Sequence, residues 1–268
     1  MRQLPVSARS TDRAAGVGER TAPGLLIGTA GWSIPRAAGH RCRGDGTHLE
    51  RYSRVFRCAE INSSFHRPHA ATTYAKWAAS TPADFRFAVK LPKEITHARK
   101  LRRSRVPLER FLEESAGLGM KRGPVLVQLP PSFAFDARVV GRFLNLLRAL
   151  YSGPVVCEPR HPSWFTQAEP LLARYHVARV AADPPPVAAA REPGGWAGLA
   201  YYRLHGSPRT YWSAYDAHRL DDVAAAIRRH TTDAWCVFDN TASGAALENA
   251  WSLQQLLSGG EGESIISM

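Results

Sequence analysis

No apolar run in the chain approaches the ~20 residues a membrane-spanning helix requires, which excludes a helical membrane protein. Paired cysteines are missing as well: Cys42, Cys58, Cys157 and Cys236 form no Cys-x-x-Cys, and three of the four sit inside apolar runs. Such thiols pack as small hydrophobes, as expected of a reduced, soluble, cytoplasmic protein. The chain has no His-x-His or His-Glu-x-x-His spacing for a metal, and no Gly-x-Gly-x-x-Gly after the first apolar run for a dinucleotide. Acidic residues are few, with Asp+Glu 23 against Lys+Arg 35 and a net charge of +12. That balance admits a nucleic acid or other polyanion as partner, although Arg far outnumbers Lys and Ala is abundant, so skewed base composition is the plainer source of the charge. Residues 1–23 carry Arg2, Arg9, Arg13 and Arg20 among Ser, Ala and Gly without the apolar centre of a secretory signal, and are expected to form a disordered basic tail.

What is present is a repeated grammar: a short apolar run, a polar or charged terminus, then a helical pattern. The runs are 25–29, 58–61, 85–89, 125–129, 154–158, 178–182, 201–204 and 235–238. Helical spacing falls at 48–56, 71–79, 108–118, 136–150, 168–175, 219–230 and 244–257. Pro184-Pro185-Pro186 rules out a regular helix after the sixth run. Eight strands alternating with helices over 268 residues predict a TIM-barrel-like (β/α)8 single domain with an irregular sixth crossover, spanning 24–258, with 259–268 frayed. A doubly wound open sheet is the alternative fold.

A barrel places its chemistry at the C-terminal strand ends. Those ends carry Glu60 and Asn62, Lys90, Gln128, Glu158 with Arg160 and His161, Asp183, Arg203 with His205, and Asp239 with Asn240. Strand-terminating and helix-capping roles account for Asp239, Asn240 and Gln128, but Lys90, Arg160 and Arg203 are poor caps. Three cations converging with carboxylates suggest an anionic or strongly polar small molecule, gripped by guanidinium forks and a point charge. Glu60 and Glu158 are candidates for an acid and base pair, with His161 and His205 as proton carriers. Asn62, Lys90, Arg160, Asp183, Arg203, Asn240 and Ser243 are candidate ligand contacts, and Trp32 a stacking ring. Lys90 would form a Schiff base only in a desolvated setting that sequence does not show, so an ion-pair or anion-binding role is assigned to it. No cofactor is expected. A divalent metal on Glu60, Glu158, Asp183, His161 and His205 is set behind ionic binding because the spacing does not support it.

Seven segments in this order resemble the domain of unknown function 72 (YecE-like) family: Ile27-Gly-Thr-Ala-Gly-Trp-Ser33, Ala59-Glu-Ile-Asn-Ser-Ser-Phe65, Phe85-Arg-Phe-Ala-Val-Lys90, Leu129-Pro-Pro-Ser-Phe133, Glu158-x-Arg-His-Pro-Ser-Trp-Phe165, Tyr202-Arg-Leu-His-Gly206 and Asn240 with the small-residue helix start after it. The resemblance covers about 25–257 and implies a TIM-barrel-like fold and an unestablished activity, with no proven catalytic residues. The chain departs from the family pattern at Ile34-Pro35-Arg36, at Phe65-His66-Arg67 and at Pro159. The expectation is an enzyme, hydrolase- or lyase-like, for a phosphorylated or polar sugar- or nucleotide-like substrate. The alternative is a nucleic-acid-binding protein using the basic Arg99 to Arg105 loop, which a steep salt dependence would reveal.

Overall fold

Period-two alternation places each strand's odd and even side chains on opposite faces, and in this chain both faces are buried. The computed structural model describes residues 24–258, so the expected basic tail and the frayed C-terminus lie outside the described residues. Ten strands are present: β1 Leu25–Ala30, β2 Cys58–Ile61, β3 Arg86–Lys90, β4 Arg122–Gln128, β5 Val155–Glu158, β6 Val177–Arg179, β7 Ala181–Asp183, β8 Gly194–Gly195, β9 Ala200–Leu204 and β10 Ala234–Phe238. Their order is β7-β9-β10-β1-β2-β3-β4-β5-β6-β8, parallel except for the β6–β8 pair.

β6 and β7 are two halves of the sixth barrel strand. The first half pairs with β5 and the second with β9, and between them Val180 N–H still donates to Cys157 O at 2.8 Å. A tilted, staggered strand naturally meets one neighbour early and the other late, and this handover makes the ring of parallel strands nearly closed. The fold is therefore TIM-barrel-like. The interior holds Cys58, Ala88, Leu126, Val156, Ala178, Val180, Tyr201, Trp235 and Val237, with the Tyr201 and Trp235 rings stacked at 5.9 Å. Gly28 is required on this inner face: a Cβ there would lie 2.1 Å from Cys58 O. Outward-facing Ile61, Phe87, Val89, Val127, Cys157, Leu204 and Phe238 belong to the larger core between barrel and helices.

The helices are α1 His48–Tyr52, α2 Ala71–Ala79, α3 Arg105–Ser115, α4 Ala137–Leu150, α5 Trp164–Gln167, α6 Glu169–Arg174, α7 Ala217–Arg228 and α8 Ala245–Ser258. Their starts are written in the sequence. Thr47 and Glu50 form a reciprocal capping box on α1, and Asp136 and Asp216 accept the first free N–H groups of α4 and α7. Two expectations shift. The third helix begins at Arg105, because Pro107 is acceptable within a first turn, and the expected 168–175 helix is preceded by a separate turn, α5. After β7 the chain runs without an α-helix through a 3-10 turn, Ala188–Arg191, and β8, as the three prolines require. All four cysteines are buried and unbonded. Among the described residues no helix is long and apolar enough to cross a membrane.

Candidate functional site at the strand ends

The alternation that buries Cys58, Ala88, Val156, Tyr201 and Val237 inside the barrel directs Glu60, Lys90, Glu158, Arg203 and Asp239 inward one pleat later. Arg203 is the centre of this layer and only 1% exposed. Its Nε and Nη2 donate to Glu60 Oε2 and Oε1 at 3.0 and 2.6 Å, Nη1 to Glu158 Oε2 at 2.5 Å, and Nη2 also to Asp239 Oδ2 at 2.9 Å. The planar fork thus serves three carboxylates at once, which an ammonium cannot do.

His205 completes the layer. Its Nδ1 lies 3.0 Å from Asp239 Oδ2, and its Nε2 lies 3.0 Å from Glu158 Oε1 and 2.5 Å from Arg160 Nη2. Arg160 also pairs with Glu158 through the same Nη2. Tyr201 O–H donates to Glu60 Oε2 at 3.1 Å from beneath. Burial alone would raise the Glu158 carboxyl, but Arg160, Arg203 and His205 outweigh it and hold it well below the usual carboxylate range. Asp239 follows the same logic: burial pushes its carboxyl up, Arg203, His205 and Lys90 pull it down, and the net shift is downward. Arg203 is shifted far upward, its carboxylates overcoming the burial penalty, and the buried Tyr201 phenol is also driven up. The floor of the site is therefore a fixed ionic lattice.

Above it opens a cavity of about 520 Å³ lined by Asn62, Phe65, His66, Lys90, His97, Gln128, Pro131, Arg160, Tyr211 and Asp239. Lys90 Nζ stands 4.3 Å over the Phe65 ring, and among the described residues it has no carboxylate within ion-pair reach. Burial lowers its basicity first and the Arg203 charge adds to that, against Glu60, Asp239 and Glu158. His97 is likewise shifted down, by burial and then by the charges of Lys90 and Lys93. Asn62 Nδ2 donates to Asp239 Oδ1 at 3.3 Å, while its buried Oδ1 has no partner among the described residues. An orphaned acceptor beside a cavity is available to a ligand hydroxyl. Nε and Nη1 of Arg160 likewise have no partner among the described residues, while Nη2, common to both of its forks, is taken.

Of the residues expected at the site, Glu60, Asn62, Lys90, Glu158, Arg160, Arg203 and His205 come together. Five others lie elsewhere. Asp183 follows inward Ala178 and Val180 by an odd step, so it faces outward and pairs with Arg219 of α7, with Nε 2.8 Å from Oδ2. Asn240 also faces outward, donating to Ser213 O and Asn249 Oδ1, both at 2.9 Å. Ser243 is exposed and bonds the Trp212 carbonyl. Trp32 packs edge-on against Trp77 at 5.1 Å and Phe87 at 6.0 Å, among the helix-facing rings. His161 braces its own turn, Nδ1 accepting from Ser163 N–H at 3.2 Å.

Sequence reasoning assigned Asp239 to capping, yet it is a full member of the lattice. The parity of β10, with Trp235 and Val237 inward, marks it. Tyr201 carries the same signal, two residues before Arg203. His66 and Tyr211 arrive on loops and His97 on a π-helical turn, Glu94–Ala98, with no periodic signal. Tyr211 is held there by a loop whose far end is latched: Gly206 N–H donates to Tyr215 O–H at 2.8 Å, and Tyr215 N–H to Asn249 of α8 at 3.0 Å. Gly206 has φ +93°, and a Cβ there would meet Ser213 O at 2.7 Å. The five residues named as a metal set do not converge, since Asp183 pairs with Arg219 and His161 bonds within its own turn. In the fold, Arg203 fills the space between Glu60, Glu158 and Asp239, and among the described residues no three ligating groups are arranged around a vacant centre.

Comparison with known proteins adds the lineage. The chain is 32% identical over 174 residues to UPF0759 protein YecE of Escherichia coli (strain K12), an alignment covering 62% of each protein, less than two thirds of that relative's length. Its fold is similar to that of a DUF72 family protein from Enterococcus faecalis V583, with TM-score 0.74, 19% identity and coverage of 87% of this chain and 95% of the other. It is more distantly similar to a sugar phosphate isomerase/epimerase from Parabacteroides distasonis, with TM-score 0.54, 14% identity and coverage of 91% and 96%. The family model described as "Protein of unknown function DUF72" matches residues 26–264, and the chain belongs to that family.

Proposed function

We propose that the protein is an enzyme of the lyase type whose strand-end cavity takes a small, anionic, polyhydroxylated molecule such as a phosphorylated sugar. The observation that carries this reading is the contrast between floor and wall. Below, three carboxylates are paired with Arg203 and Arg160; above, Arg160 and Lys90, the latter without an ion pair among the described residues, border an open volume of about 520 Å³. Burying so many charges costs several kcal/mol per ion before pairing, so a layer of this kind is more readily explained by a ligand than by stability. The free Nε–H and Nη1–H groups of Arg160 can each donate to a phosphate or carboxylate oxygen, and Asn62 Oδ1 and Asp239 suit hydroxyl donors.

A glycosidase-like hydrolysis is less well supported, because Glu60 is engaged on both oxygens by Arg203 and Glu158 is held ionised by three cationic or donor groups. The fold neighbour named as a sugar phosphate isomerase/epimerase fits the same ligand class. Calorimetry against triose, pentose and hexose phosphates tests the proposal. Binding in the micromolar to millimolar range, abolished by Arg160→Ala and competed by inorganic phosphate, is expected; no binding by any member defeats it.

Nucleic-acid binding through the Arg99 to Arg105 loop is the second reading. Arg99, Arg102 and Arg105 each meet a carboxylate, of Glu94, Asp136 and Glu109 at 2.6, 3.5 and 3.0 Å, which reduces the phosphate-tracking charge the loop offers. Tight binding at low salt that weakens steeply with salt and with alanine at these arginines would restore that reading.

A further inference from the structure

We infer that Lys90 is the covalent centre of this cavity, an amine that adds to the carbonyl carbon of an aldehyde or ketone carried by the anionic ligand. The inference rests on the function proposed above and names its substrate class more narrowly, as a phosphorylated or carboxylated carbonyl compound.

Four observations converge on it. Lys90 ends β3 with its backbone carbonyl pinned by Ser64 O–H at 2.7 Å, so the root of the side chain is fixed. Its Nζ faces the cavity and rests on the Phe65 ring at 4.3 Å, an apolar surface that does not compete for the nitrogen lone pair. Among the described residues it lacks the ion pair that a purely structural lysine would be expected to have, although Glu60, Glu158 and Asp239 lie in the same layer; Arg203 and Arg160 have already claimed them. The groups facing it, Arg203 and His97 with those three carboxylates, leave burial and like charge dominant, so a larger fraction of the amine is neutral than for a surface lysine. The chain holds five lysines among thirty arginines, and Arg160 and Arg203 already supply the guanidinium forks the layer uses. Only a primary amine contributes carbonyl addition, which a guanidinium cannot.

The chemistry balances without an oxidant or metal. The lone pair of neutral Nζ forms a C–N bond as the carbonyl π bond breaks onto oxygen. The oxygen takes a proton and the nitrogen loses one, giving a carbinolamine. His97, which lines the cavity beside Lys90 and is shifted toward its neutral form, is placed to carry that proton. A second protonation lets the oxygen leave as water while the nitrogen lone pair forms the C=N bond. The resulting iminium withdraws electrons from the bond to the neighbouring carbon, the requirement for a lyase. Arg160, on the same cavity wall, holds the anionic end.

The test is reductive trapping. The full chain is incubated with dihydroxyacetone phosphate, with unphosphorylated dihydroxyacetone and with each of these plus inorganic phosphate, then treated with sodium borohydride and mapped by peptide mass spectrometry. The expected result is a borohydride-dependent adduct, one ligand mass less one oxygen, at Lys90, at least tenfold above that at Lys76, Lys93, Lys100 or Lys121. It is absent in Lys90→Arg, with wild-type melting behaviour as the check on folding. Phosphate should suppress the adduct, and the phosphorylated probe should exceed the unphosphorylated one. Calorimetric binding of the phosphate ester with no selective Lys90 adduct overturns the covalent role and leaves the anion site standing. Selective labelling by both probes alike, insensitive to phosphate, retains the amine chemistry and overturns the anion site. Neither binding nor labelling overturns both.

Discussion

Replacing Arg203 with Met keeps much of its volume and removes the charge that three buried carboxylates share. At an effective dielectric of about 20, one ion pair near 4 Å is worth roughly 4 kcal/mol, and removing one partner of a buried pair costs about 3–5 kcal/mol because the other is left uncompensated. A domain of this size has roughly 5–15 kcal/mol in total. The variant should therefore lose roughly 3–5 kcal/mol in urea unfolding and melt about 6–20 °C lower. Adding Glu60→Gln should recover part of the loss, with a coupling energy of roughly 0.5–3 kcal/mol. The pH dependence should also flatten. In the native protein the depressed Glu158 and Asp239 carboxyls contribute stability above the ordinary carboxyl range, at about 4, and lose it as pH falls through their lower folded values. Without the guanidinium these two carboxyls lose one of the charges that hold them down, their folded-state values move up toward the unfolded ones, and less stability is lost on acidification. A loss under about 1 kcal/mol with no coupling and an unchanged pH slope would refute the ionic lattice.

Tyr201→Phe removes the phenol that donates to Glu60 at 3.1 Å and should cost about 1.5–3 kcal/mol, read by chemical unfolding. Gly28→Ala forces β1 and β2 apart, since its Cβ would lie 2.1 Å from Cys58 O, and should cost about 3 kcal/mol or more or abolish soluble expression. Asp183→Asn should leave sugar phosphate affinity within about twofold while Arg160→Ala loses at least about tenfold, or about 1.4 kcal/mol, by calorimetry, because the Asp183 carboxylate faces α7. Equal losses in both would contradict the assignment of the two faces. The rate of Lys90 adduct formation should reach its plateau at lower pH than that of exposed lysines, in line with its lowered basicity.

Much of this architecture is local in origin and so was readable before any coordinate. Apolar runs ending in charge, Thr47 with Glu50, Asp136, and the prolines after Asp183 set strand order, helix starts and the irregular sixth crossover, because each depends on backbone geometry or near neighbours. The convergence of Glu60, Lys90, Glu158, Arg160, Arg203 and His205 also followed from barrel arithmetic, since strand ends of a closed ring must share one rim. What needed the tertiary structure was which way each rim residue points and who claims it. Asp183 and Asn240 turn outward by a single step of parity, and Asp239 turns inward. Arg203 looked like an anion clamp in one dimension, but its fork is consumed by three carboxylates from β2, β5 and the end of β10, partners 143, 45 and 36 residues away in the chain. That pairing leaves Lys90 without a carboxylate partner among the described residues, a property no segment of sequence contains because it is set by where every other charge in the layer has gone.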